Sequence, residues 1–137
     1  MRLINSPAPC LRKCFILSDA TVFSQTRRVV FAKPVSGIGL EKVLRDFLGA
    51  LGEPLSYNGV ILGHIKVMVR IPASEDLFFL SLTKLDRVDI KTSPTYSRTD
   101  DNNIDSIELT INVLLFGYSR STVEKTIGAA LALMPLA

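Results

Sequence analysis

The chain has one histidine, and histidine is the side chain whose ordinary titration suits proton transfer near neutrality. His64 stands two residues before Lys66 and six before Arg70 in Val60–Ile71. In an extended strand successive side chains alternate between faces, so His64, Lys66 and Arg70 share one face. Ile61, Ile65, Val67, Val69 and Ile71 take the other. Period-two patterning in the following segments adds Ser81, Thr83, Asp89, Lys91, Glu108, Thr110 and Asn112 to the histidine face. A carboxylate from Asp89 or Glu108 beside His64 would make an acid/base pair, and Lys66 or Arg70 would hold an anion. The expected ligand-binding set is therefore His64, Lys66, Arg70, Asp89, Thr110 and Asn112. The alternative is an ordinary solvated sheet face or a subunit interface. Met68, Phe79, Leu114 and Phe116 fall on the same face, and their apolar surface favours a cover.

Other patterns carry less chemistry. Ser36-Gly37-Ile38-Gly39 stands between a strand and a helix, where phosphate loops occur. It lacks the third glycine of a dinucleotide fingerprint and the Gly-Lys-Ser/Thr of a phosphate loop. Glu41 would also place negative charge in the first helical turn, so the segment reads as a helix start. Asp101, Asn103 and Asp105 match the first ligand positions of a calcium loop. Ser106 replaces its glycine and Asn112 its closing glutamate. Cys10 and Cys14 have no further cysteine to complete a zinc site. No serine or cysteine sits in an activated-nucleophile context. No cofactor and no metal are expected.

The elements that must position the face are legible. Arg28–Ala32 reads as a strand ended by Pro34. Leu40, Val43, Leu44, Phe47, Leu48 and Leu51 recur at helical spacing, with Glu41–Arg45 and Lys42–Asp46 as outward (i, i+4) pairs. Gly52 and Pro54 end that helix. Folding about Pro72–Glu75 sets Val67 opposite Leu80, Ile65 opposite Leu82, Lys66 opposite Ser81 and His64 opposite Thr83. Arg87–Thr92 and Ser106–Phe116 continue the alternation as a meander, with Lys91 beside Glu108. The long polar stretch Thr92–Asp105 is expected to be mobile or functional, with Tyr96 and Arg98 as a lid or partner contact. Ser121 and Glu124 fit a capping box ahead of a second helix, whose stripe is Val123, Ile127, Leu131 and Met134.

These elements make an α+β two-layer sandwich in the order β-α-β-β-β-β-α. Its mainly antiparallel sheet has four to six strands, with two helices on one face. Residues 1–26, with Pro7 and Pro9, read as an N-terminal arm, short extra strands (Phe15–Leu17, Thr21–Phe23) or a targeting segment. Residues 27–137 read as one α+β domain. Of the 137 residues 47% are hydrophobic and 21% charged, which excludes wholesale disorder. No apolar run reaches the roughly 18 residues a bilayer span needs. Net charge is +3, and its basic residues are scattered, the adjacent pairs being Arg12-Lys13 and Arg27-Arg28. That pattern disfavours a nucleic-acid footprint. Two thiols suit a reducing cytoplasm. The expectation is a soluble, non-catalytic binding or assembly protein, forming a homo-oligomer and using the second sheet face and the 92–105 loop. The rival is a small acid/base enzyme acting on an anionic small molecule through His64.

Overall fold

The computed structural model describes residues 20–96, 101 and 103–136. Cys10, Cys14, the segment 15–17 and Arg98 lie outside the described residues. The chain folds as β1 (Thr21–Val35), α1 (Gly37–Gly52), β2 (Val60–Ile71), β3 (Asp76–Lys84), β4 (Arg87–Thr92), β5 (Ile104–Leu115) and α2 (Arg120–Ala132). This is the expected α+β order. The strands form one antiparallel five-stranded sheet in the order β1-β5-β2-β3-β4. No helix among the described residues is long and apolar enough to cross a membrane.

The core lies between the helices and one sheet face. Ile65, Val67 and Val69 of β2, Phe78 and Leu80 of β3, and Ile107, Leu109 and Ile111 of β5 are buried there, against Leu44, Leu48 and Leu51 of α1 and Val123 and Ile127 of α2. Each strand alternates because one face is apolar, and a one-residue slip would turn that whole set into water. The expected pairs Val67↔Leu80, Ile65↔Leu82 and Lys66↔Ser81 are present.

Of the expected four-stranded meander, β2–β3–β4 is present, but β5 does not follow β4. β5 leaves β4 and inserts between β1 and β2, so Glu108 faces Arg70 and Arg28 while Lys91 stays on the edge strand β4. Every strand of this sheet buries one face by alternation, so alternation alone could not choose the neighbour of β5. The strand order requires the connection from Thr92 to Ile104 to join strands separated by β3 and β2, which a tight turn could not span.

Local details shift for physical reasons. The strand expected at Arg28–Ala32 runs from Thr21 to Val35, which places Thr21–Thr26 in the sheet. Pro34 is accommodated because β1 is an edge strand whose register shifts between Val30 and Val35. His64 does not pair with Thr83, because the β2–β3 register shifts between Val60 and Ile65. Gly63, in that irregular stretch, has φ +134°. Ser36 caps α1, its hydroxyl accepting from Gly39 N at 2.9 Å. The Lys42–Asp46 pair forms at 2.9 Å, whereas Glu41 is buried rather than turned outward. Helix α2 begins earlier than expected, with Ser119 as cap accepting from Thr122 N at 3.1 Å. Glu124 pairs with Arg120 at 3.3 Å instead of closing a box with Ser121.

Candidate functional site

The helices cover one face, no described element covers the other, and the cross-strand register arranges the side chains of that second face in rows. The first row runs Arg28–Glu108–Arg70 across β1, β5 and β2. The second runs Thr26–Thr110–Met68–Phe79–Lys91, and the third Ser24–Asn112–Lys66–Ser81–Asp89. The fourth holds Val22, Leu114 and His64.

The first row is a charge ladder. Arg70 Nε donates to Glu108 Oε1 at 3.0 Å, and Arg70 Nη1 also donates to Glu75 of the β2–β3 turn. The hydrogen bond from Arg70 holds the Glu108 carboxyl below the usual carboxylate range. Partial desolvation opposes this, and the charges of Arg70 and Arg28 reinforce it. The same hydrogen bond raises Arg70 above its ordinary value. Arg70 and Glu108 thus satisfy one another.

The second and third rows enclose a hollow of about 410 Å³ lined by Lys66, Met68, Phe79, Ser81, Asp89, Lys91, Thr110 and Asn112. Its floor is apolar: Met68 is 38% and Phe79 49% exposed, more than isolated core-type side chains need to be. Thr110 and Asn112 are tied sideways to β1, through Thr26 Oγ1 at 3.2 Å and Ser24 Oγ at 2.9 Å. Lys66, Asp89 and Lys91 have no side-chain partner among the described residues, so two amines and one carboxylate ring an apolar platform. That arrangement suits an anion with an apolar body.

Four of the six expected ligand residues, Lys66, Asp89, Thr110 and Asn112, therefore meet in one hollow. Arg70 is committed to its ladder, and His64 lies apart. His64 is opposite Leu114, six residues along β5 from Glu108, which is about 20 Å of strand. Asp89 is two strands and one row away, about 12 Å between Cα atoms. The structure brings neither carboxylate to the imidazole. His64 Nδ1 is buried without a hydrogen-bond partner among the described residues.

The described start of the loop following β4 is fixed beside β3. Ser93 N donates to Leu77 O at 2.9 Å, and the Ser93 and Thr95 hydroxyls donate to Asp76 Oδ1 at 3.0 and 2.6 Å. Tyr96 packs edge-on against Phe78, ring centroids 4.5 Å apart. Phe78 belongs to the core, so the described start of the loop is bolted to the helix side, away from the hollow. Tyr96 is a packing residue there. The buried carboxylate of Asp76 is the hub, held below its usual range first by Thr95, then by Ser74 and Ser93, against the opposing effect of burial. A smaller hollow of about 220 Å³, lined by Gly37, Asp76, Thr95, Tyr96 and Asn103 among others, remains beside it. Asp76 follows a Pro-Ala-Ser-Glu turn, and its acceptor contacts come from Ser93 and Thr95, 17 and 19 residues along the chain. Nothing in its local pattern signals that.

No group of three or more His, Cys, Asp or Glu among the described residues could hold a metal ion. No protein-family model matches the chain, and no curated protein or solved structure is significantly similar to it.

Proposed function

We propose that this is a non-catalytic binding and assembly protein, working as a homo-oligomer in the cytoplasm and taking a compact anion with an apolar body on its second sheet face. One observation carries the reading: the hollow on that face sets Met68 and Phe79 between Lys66 and Lys91, whose amines have no partner among the described residues. Apolar surface supplies affinity, and the amines and Ser81 supply orientation. The small number of cysteines, two in 137 residues, is in keeping with a reducing compartment.

The test uses 8-anilinonaphthalene-1-sulfonate, a sulfonate on an aromatic body, as the probe. Titration into the folded full-length chain is expected to saturate at one site per chain. Lys66→Ala with Lys91→Ala should weaken binding roughly tenfold or more, in line with losing two charge-assisted contacts. Absence of saturation, or an affinity the double variant does not change, removes the reading.

The acid/base alternative keeps one observation, the unpartnered Nδ1 of His64. His64 does not line the hollow, so His64→Ala should leave probe affinity unchanged. Loss of binding in His64→Ala would favour the alternative.

A further inference from the structure

Strand β1 is a long sheet edge, and among the described residues little covers it. Its outward backbone groups can be assigned. Arg120 Nη1 donates to Val22 O at 3.3 Å, and Ala32 N donates to Pro135 O at 3.0 Å. Both reach β1 from the side opposite β5. With period two, the N–H and C=O groups of Val22, Ser24, Thr26, Arg28 and Val30 therefore point away from β5. The Phe31↔Leu136 bridge closes the edge beyond Val30. Between these two stops, Ser24, Thr26 and Arg28 show no outward backbone partner among the described residues, while the Val30 carbonyl flanks the Phe31↔Leu136 bridge. Sheet edges are ordinarily shortened, charged or covered. At the other edge, β4 is six residues long and carries Arg87 and Lys91. β1 is 15 residues long and is apolar at both ends of its open stretch.

The open stretch reads Val-Phe-Ser-Gln-Thr-Arg-Arg-Val-Val from Val22 to Val30, a near-mirror of residue character about Thr26. We propose that two copies of this chain associate through the outer edges of their β1 strands, antiparallel about a two-fold axis at Thr26, joining two sheets into one. Outward groups must meet outward groups, so only registers pairing even-numbered residues with even-numbered residues are available. With the axis at Thr26, Val22 lies beside Val30 of the second copy, Ser24 beside Arg28 and Thr26 beside Thr26. On the helix side Phe23 lies beside Val29 and Gln25 beside Arg27. Val22 and Val30, 63% and 44% exposed, then cover one another, and no like charges meet. Moving the axis to Arg27 or to Arg28 sets two arginines face to face, which is destabilising. Moving it to Gln25 puts Val22 beside Arg28 and shortens the ladder. The Thr26 register pairs Ser24, Thr26 and Arg28 with the same three residues of the second copy and gives about six backbone hydrogen bonds, two for each facing pair, within the range of specific interfaces. This pairing goes beyond the ligand reading and does not depend on it, because neither hollow lies on β1.

Sedimentation of the full chain is expected to give about twice the 15.1 kDa chain mass. Gln25→Lys, which faces Arg27 of the second copy twice per dimer, should weaken dimerisation roughly tenfold, and Gln25→Glu should tighten it. Register is read by cysteine cross-linking in a chain carrying Cys10→Ser and Cys14→Ser. Thr26→Cys should form a dimer-spanning disulfide under mild oxidation, because residues facing on the axis sit about 5.5 Å apart at Cα. Gln25→Cys and Arg27→Cys should not. A monomer at all concentrations, a dimer indifferent to both Gln25 variants, or cross-linking through position 25 or 27 instead of 26 overturns the proposal. Probe binding measured on the same samples separates this result from the fate of the hollow.

Discussion

Arg70 and Glu108 meet across the β2–β5 pair, Nε to Oε1 at 3.0 Å, and this contact locks the strand whose place in the sheet is least evident from patterning. The pair bridges segments 38 residues apart. It marks the insertion of β5 next to β2 as well as any single apolar contact does.

The pH dependence of stability follows from the direction of the Glu108 shift. A carboxyl whose native value is lowered binds fewer protons folded than unfolded, so its contribution is present above the ordinary carboxylate range. It is lost as pH falls through the lowered native value. Arg70 stays protonated throughout and adds no slope in this range. Urea unfolding from neutral pH down to about pH 3 should show stability declining as pH falls. Glu108→Gln should be less stable at neutral pH and have a shallower decline; an unchanged slope would mean the contact is not kept in solution.

Gly63 is a position where the backbone admits no side chain. A Cβ there would stand 1.9 Å from the carbonyl oxygen of Leu114, and φ is +134°. The obstruction is backbone in the adjacent strand, so no side chain can swing aside. Gly63→Ala should cost at least about 2 kcal/mol and lower the melting temperature by more than about 5 °C. Calorimetry checks this directly, and a stability within error of the parent would show that the β2–β5 approach is looser than described.

The same contrast between local and non-local information explains what could be read from the chain beforehand. The inward parity of Ile65, Val67, Leu80, Leu82, Leu109 and Ile111 depends only on alternation within each strand, so it was legible. The neighbour of β5 was not, because Lys91–Glu108 and Arg70–Glu108 are equally good opposite-charge pairs. The hollow was partly legible for the same reason: Lys66, Asp89, Thr110 and Asn112 share a face by parity. Their nearness, and the separation of His64 from both carboxylates, depends on strand order and on the register shift before Ile65. The helix start at Ser119 is not legible locally, since Ser121 with Glu124 makes an equally good capping pattern.

Asp76 should hold the start of the crossing loop. Its Oδ1 accepts from Ser93 Oγ and Thr95 Oγ1, and it is buried. Asp76→Ala would leave both hydroxyls without their shared acceptor and is expected to cost about 1–3 kcal/mol. Hydrogen exchange should then quicken at Ser93 N, which bonds Leu77 O, before it does in the strand centres. Uniform quickening across the sheet would argue against a local bolt.

Three helical glycines separate propensity from packing. A Cβ at Gly49 or at Gly128 would meet nothing within 4 Å, whereas at Gly52 it would stand 2.3 Å from Leu82 Cδ2 and 3.2 Å from Leu85 Cδ2. In an open helical site, alanine restricts the unfolded chain more than glycine does and has the better helix propensity. Gly49→Ala and Gly128→Ala should each stabilise by about 0.5–1 kcal/mol. At Gly52 the same propensity gain is offset by the need to move Leu82, a fully buried side chain in the close-packed core. Gly52→Ala should therefore destabilise by about 1–3 kcal/mol. Chemical denaturation of the three variants gives the comparison, and a stabilising Gly52→Ala would mean that α1 does not approach β3 as closely as described.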